Sequence, residues 1–234
     1  TGKQWKDNKG ITWIDPAAKE SWDYNVAIAK DALARGFDEI NFDYIRFASD
    51  GNTDDIKYPF WDEVTLKRYV IRNFMKYLRQ SLSEAKLSAD LFGLATISYG
   101  DVGIGQNIDD AYNYFDAIAP MVYPSHYQNG FDGYANPALY PYEVVYKSML
   151  EANERLKHYM LNAENSTSTE KYLVKNPQLR PWLQDFDLGA DYDAEKVKAQ
   201  INATYAAATG TPSGWMLWNP SNIYTAAALQ RDNN

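Results

Sequence analysis

The feature that most constrains this chain is an alternation that runs its whole length. A short apolar, β-branched or aromatic run is followed by a longer segment with apolar residues at helical spacing, and the pair then recurs. Residues 11–14 form the first short run. A helix is expected from about residue 17 to 35, with Trp22, Val26, Ala29 and Leu33 on one stripe and Gly36 placed to stop it. A strand over 39–47 follows, then a polar loop at 48–58, a long helix over 61–86 and a strand over 91–97. After a glycine-rich loop at 99–106 the order resumes, with a helix near 108–114, a strand at 117–123, a proline-rich loop to 141 and a helix at about 142–157. The polar stretch 162–177 reads as a flexible surface excursion. A strand at 179–186, a helix capped by Asp193, a strand at 214–218 and a terminal helix starting near Asn222 complete the series. Apolar strands alternating with amphipathic helices predict a parallel α/β fold.

Composition removes several functions. The 234 residues suit a single domain over 1–234, large enough to bury a sizeable core. Cysteine is absent, so disulfides, thiol nucleophiles and cysteine-held metals are excluded, and two histidines, His126 and His158, cannot build a multi-histidine centre. No metal and no organic cofactor is expected. A net charge of −8 argues against nucleic acid as a partner, and no apolar run is long enough for a membrane span. No G-x-G-x-x-G follows the first strand, and no G-K-[ST] occurs, which disfavours a nucleotide-binding sheet. Asp50 to Trp61 resembles a calcium loop only superficially, lacking glycine at its sixth position and glutamate at its twelfth. The start at Thr1, with no signal-like segment, suggests a processed product or a fragment.

Polar residues gather at the carboxyl ends of the strands, where a β/α barrel builds its site. They are Asp43 with Arg46, Ser98 with Tyr99, Tyr123 with His126, Gln184 with Asp185, and Trp218 with Asn219. Strand alternation sets Asn41, Asp43 and Ile45 on the face opposite Ile40, Phe42 and Tyr44. Asp43 would then point into the barrel, partly desolvated, with Arg46 as its compensating charge. Asp185 is the candidate second carboxylate, since glycosidic cleavage needs one acid to protonate the leaving oxygen and one carboxylate to attack carbon or activate water. Structural ion pairing of Asp43 with Arg46, or capping by Asp185, would account for the same residues. Asp101 is a third acid with a weaker claim. The 19 tyrosines and seven tryptophans suit either a large aromatic core or a sugar-binding surface, with Trp218 the foremost stacking residue.

Five motifs occur in order: Trp22-Asp-Tyr-Asn-Val-Ala-Ile-Ala-Lys30, Gly36-Phe-Asp-Glu-Ile-Asn-Phe-Asp-Tyr-Ile-Arg-Phe47, Pro120-Met-Val-Tyr-Pro-Ser-His-Tyr127, Arg180-Pro-Trp-Leu-Gln-Asp-Phe186 and Gly214-Trp-Met-Leu-Trp-Asn219. Together they closely resemble the bacterial "putative glycosyl hydrolase" domain family, a domain of unknown function in the TIM-barrel glycosidase superfamily. The resemblance implies a (β/α)8 TIM barrel of which this chain supplies about strands 4 to 8, with the first strands missing here and contributed by an N-terminal barrel segment or a separate chain. It also implies action on a polysaccharide or cell-envelope glycan by a secreted or envelope-associated bacterial protein. A looser likeness links Phe37 to Ile45 with the fourth-strand pattern of chitinase-like family 18 glycosidases. Asp38 and Asp43 match that pattern, but Asn41 replaces an aspartate and Ile45 the catalytic glutamate, so Asp43 would have to serve as the acid.

The resulting expectation is a carboxylate-dependent O-glycoside hydrolase, with Asp43 and Asp185 catalytic and Arg46, Tyr99, Tyr123, His126, Gln184, Trp218 and Asn219 holding carbohydrate. A non-catalytic carbohydrate-binding barrel is the alternative.

Overall fold

The computed structural model describes residues 2–167, 173–174, 176–208 and 213–229. Its strands are β1 (Glu39–Phe42), β2 (Lys86–Phe92), β3 (Ala117–Met121), β4 (Gln178–Leu179), β5 (Trp182–Gln184) and β6 (Met216–Trp218), all paired in parallel. Both β4 and β5 pair with β3, so they are two halves of one strand interrupted at Arg180-Pro181. Proline lacks a backbone donor, which is enough to break the ladder there. The sheet order therefore follows the chain without reversal, as in a barrel wall and unlike a doubly wound sheet. The chain forms a partial (β/α) barrel.

The helices are α1 (Lys19–Ala34), α2 (Lys67–Ser81), α3 (Ile108–Tyr112), α4 (Pro141–Glu164) and α5 (Ala194–Ala207). Gly36, at φ +97°, ends α1: its N–H donates to the Leu33 carbonyl while that of Phe37 donates to Ala32. This is the paired closure expected of a left-handed residue just past a helix. Asp193 caps α5 by accepting from the Lys196 N–H. Outward strand residues such as Leu87, Leu91, Ile118, Leu179 and Leu183 form one core with Ile71, Met75 and Leu78 of α2, Val145 and Met149 of α4, and Val197 of α5.

Several expected boundaries move. Residues 11–14 form no strand, making only a Lys6–Thr12 bridge, and Ile11 and Ile14 are exposed. The second helix starts six residues late because the Asp62 carboxylate accepts from the N–H groups of Val64 and Thr65 and folds that segment into a turn. The strand expected at 91–97 lies earlier, at Lys86–Phe92, and Gly93–Thr96 forms a 3-10 turn. At the other end, α4 runs on to Glu164. Only part of the 162–177 excursion falls within the described residues, and Ala226–Leu229 is a 3-10 turn where the terminal helix was expected.

The concave face positions the site. The register sets Asn41 beside Ser88, Ser88 beside Ala117, and Asp90 beside Ala119. Polar side chains on β1, β2, β4 and β5 thus share one surface, while β3 contributes Ala117, Ala119 and, at its end, Met121. Over those alanines Arg180 pairs with Glu39, and Trp182 Nε1 donates to Asp90 Oδ1 at 2.8 Å. In a flat sheet, Arg180 and Glu39 would stand three strand spacings apart, about 14 Å. Their contact records the curl of the wall. Replacing Ala119, which is fully buried, by Leu should wedge Asp90 away from Trp182. Overpacking of this kind costs about 1–3 kcal/mol, measurable by urea denaturation, whereas unchanged stability would mean that the space above β3 is not closed.

Candidate active site

Asp90 is the centre of the concave face. It is 6% exposed, and both carboxylate oxygens accept: Oδ1 from Trp182 Nε1 and Oδ2 from Asn41 Nδ2 at 3.0 Å. Burial, reinforced by the negative charge of Asp43, outweighs these two donors and the positive charge of Arg180 and pushes its pKa up to about 6. Sequence reading missed Asp90 by starting the strand one residue after it. The signal was present in Lys86-Leu-Ser-Ala-Asp-Leu-Phe92, where Leu87, Ala89 and Leu91 alternate with Ser88 and Asp90.

Asp43 lies just beyond β1, level with Asp90. Its Oδ1 accepts from the Tyr44 N–H at 2.6 Å. Burial raises its pKa, opposed by that N–H and by the Arg46 charge. Tyr44 takes φ +57°, an unusual left-handed conformation for a bulky residue and one found preferentially at functional sites. This turn ends the strand five residues short of Phe47. It also overturns the expected alternation, because Ile45 turns into the core at 4% exposure. Asp43, Tyr44 and Arg46 line a cavity of about 470 Å³ with Trp13, Asp15 and Trp22.

Arg46 does not form an ion pair with Asp43. Its guanidinium lies over the rings of Trp13, Tyr44 and Phe92, 4.5, 5.0 and 4.8 Å from their centroids, and donates to the Phe47 carbonyl and Ser49 Oγ. Aromatic faces attract the cation without neutralising it, so its charge still acts on Asp43.

Tyr123 is buried, and its hydroxyl pKa is driven far up by burial and by the charges of Asp90 and Asp43. Its ring meets His126 and Phe186 edge-on. Burial and then the charge of Lys9 lower the His126 pKa, favouring the neutral imidazole. Trp218, 44% exposed, stands edge-on to Trp182 at 6.1 Å and offers an open ring to the concave side.

With this geometry, an affiliation can be stated. The sequence matches, over residues 1–224, the family described as "Putative glycosyl hydrolase domain". The chain belongs to that family. Among solved structures, the chain is 42% identical to a hypothetical protein from Ruminiclostridium thermocellum over 37% of this chain and 42% of the other, with a TM-score of 0.29. The α-galactosidase of Thermus thermophilus in complex with stachyose is 13% identical over 96% of this chain and 42% of that one, at a TM-score of 0.45. The same enzyme in complex with p-nitrophenyl α-D-galactopyranoside gives 13%, 96%, 40% and 0.46. The domain thus spans about two fifths of the length of these solved chains. No curated protein matches it.

Four expected site residues have other partners in this chain. Asp185, 2% exposed, accepts from the Thr225 N–H and Oγ1, fastening the segment after β6. Asn219 donates to the Asp185 carbonyl and accepts from the Ser221 N–H, closing the turn after β6. Gln184, fully buried, is held by the Ser125 N–H and the Phe186 carbonyl. Each thereby secures neighbouring loop segments, mainly through backbone groups. Tyr99 lies under the Arg155 guanidinium in a groove between α2, α3 and α4, away from Asp43. Asp101 accepts from the Gly103 N–H in its own loop. Among the described residues no cluster of metal-ligating side chains occurs, and no helix is long and apolar enough to cross a membrane.

Asp90 makes stability depend on pH. Its folded pKa lies above the unfolded value of about 4, so the folded chain keeps a proton there that the unfolded chain has lost. Stability conferred at low pH is therefore lost as pH rises from about 4 to about 6, a change of about 3 kcal/mol. Asp90→Asn should gain stability relative to the wild type across this window in urea denaturation, and a difference independent of pH would contradict the raised pKa.

Proposed function

We propose that the domain is an O-glycoside hydrolase acting on a polysaccharide or cell-envelope glycan, with Asp90 and Asp43 as its two carboxylates. The observation that carries this is their placement: a buried acid on β2, Asp90, with its pKa raised by burial and by the charge of Asp43, which stands open to solvent just beyond β1 beside exposed aromatic rings. Such a pair sheds its protons stepwise, so over an intermediate pH range it holds one proton and one negative charge. That is the state glycosidic cleavage requires.

Asp90, more deeply buried, keeps the proton and is the general acid. Its O–H bond breaks as a new O–H bond forms on the leaving glycosidic oxygen, whose bond to the anomeric carbon breaks. Asp43, expected from sequence to be the acid, takes the complementary task, and its carboxylate attacks that carbon or removes a proton from the attacking water. Asp43 thereby acts with Asp90 in place of Asp185. Trp218 packs on the apolar face of a sugar ring, and Arg46 and His126 flank the Asp43 side.

The second reading, a non-catalytic carbohydrate-binding barrel, is favoured by Ile45, a core residue where chitinase-like enzymes carry their acid. The two readings separate in a screen of envelope glycans with the full-length protein. Hydrolysis should fall by roughly 10²–10⁴-fold in Asp90→Asn and in Asp43→Asn, while Trp218→Ala should mainly raise KM. Glycan binding with no released reducing ends at any pH would establish the binding module instead.

A further inference from the structure

The hydrogen bonds on the concave face ask for one more proton than Ser88 has. Ser88 Oγ lies 2.6 Å from Glu39 Oε1 and 2.8 Å from Asn41 Oδ1. A hydroxyl carries one proton and can serve only one of these acceptors at a time. Glu39 cannot supply the other. Although burial pushes its pKa up, the hydrogen bonds of Arg180 and Ser88 more than offset this and keep it an acceptor. An amide can resolve the conflict, because turning it over exchanges a donor for an acceptor.

We propose that Asn41 is a positioning residue whose amide turns over with the protonation of Asp90, and that Ser88, backed by the Glu39–Arg180 pair, couples to that turn. The proposal rests on Asp90 being the acid. In the ionised form, Ser88 donates to Asn41 Oδ1 and Asn41 Nδ2 donates to Asp90 Oδ2, as the structure has it. In the protonated form, Asp90 Oδ2–H donates to Asn41 Oδ1, Asn41 Nδ2 donates to Ser88 Oγ, and Ser88 donates to Glu39 Oε1. Trp182 stays on Asp90 Oδ1 throughout, which leaves Oδ2 as the seat of the proton. When the proton passes to the glycosidic oxygen, only that O–H bond is exchanged, and the remaining changes are rotations. Asparagine suits position 41 because an aspartate there could not donate to ionised Asp90.

The groups facing Asp90 are Glu39, Asn41 and Asp43 from the β1 side, Tyr123 from beyond β3, and Arg180 and Trp182 from the β4–β5 strand. The protonated arrangement has one more hydrogen bond through Ser88 than the ionised one, and that bond ends on a carboxylate. Ser88 therefore favours the protonated form. A fixed amide makes the opposite prediction, since Ser88 would then only hold the Asn41 donors toward ionised Asp90.

The test is an NMR titration of the whole chain without substrate, reading the Trp182 indole N–H and the Asn41 side-chain amide. Trp182→Phe assigns the first signal, and Asp90→Asn should abolish its titration. In the wild type both signals should move with one midpoint. In Ser88→Ala that midpoint should fall by about one pH unit, in the Asp43→Asn background as well. A midpoint that rises or stays put in Ser88→Ala overturns the proposal, as does a wild-type Asn41 amide that is unmoved through the Trp182 transition. The wild-type reading stands even where the variant does not fold. Because no substrate is present, a chain that hydrolyses no glycan yet passes both readings keeps the relay and loses only the proposed function.

Discussion

One-for-one pairing in a parallel ladder is the constraint on which the rest of this structure depends. Because neighbours in register share a face, Asn41, Ser88 and Ala117 form one row, with Asp90 and Ala119 in the row two residues on. The first two strands bring polar groups to the concave surface, the third brings methyl groups, and the fourth returns Arg180 and Trp182. Curling of the wall carries those two residues over the alanines to Glu39 and Asp90. The carboxylates gain partners from a strand two or three places away, a reach that no local motif provides.

The site is held against its own cost. Asp90 is buried with the charge of Asp43 acting on it, and Tyr44 adopts a backbone conformation that its side chain disfavours. What balances this lies on the helix side, where the apolar strand residues and helices α2, α4 and α5 build one core. Arg155 reinforces it by reaching from α4 to Asp109 and to the carbonyls of Ala95, Thr96 and Ser98, which fixes the loop after β2.

Much of the architecture was legible in the chain. The stop at Gly36 and the cap at Asp193 follow from local chemistry, which acts over a few residues. Strand ends were less legible, because a polar residue there serves equally well as a site group or as a fastening. Asp185, Gln184 and Asn219 are fastenings, satisfied by Thr225, Ser125, Phe186 and Ser221. Asp43 differs because its loop turns left-handed at Tyr44 and leaves much of its carboxylate unclaimed. Asp90 escaped notice through a strand boundary set a few residues late, although its alternation was visible.

The sequence by itself determined the class of fold and the absence of cysteine chemistry, since periodicity and composition are properties of neighbours along the chain. Only the tertiary structure decided which acids meet. Whether a carboxylate is spent on a backbone N–H or left beside another carboxylate depends on strands far apart in sequence and on the curl that joins them, and hydrophobic pattern specifies burial without specifying that distance.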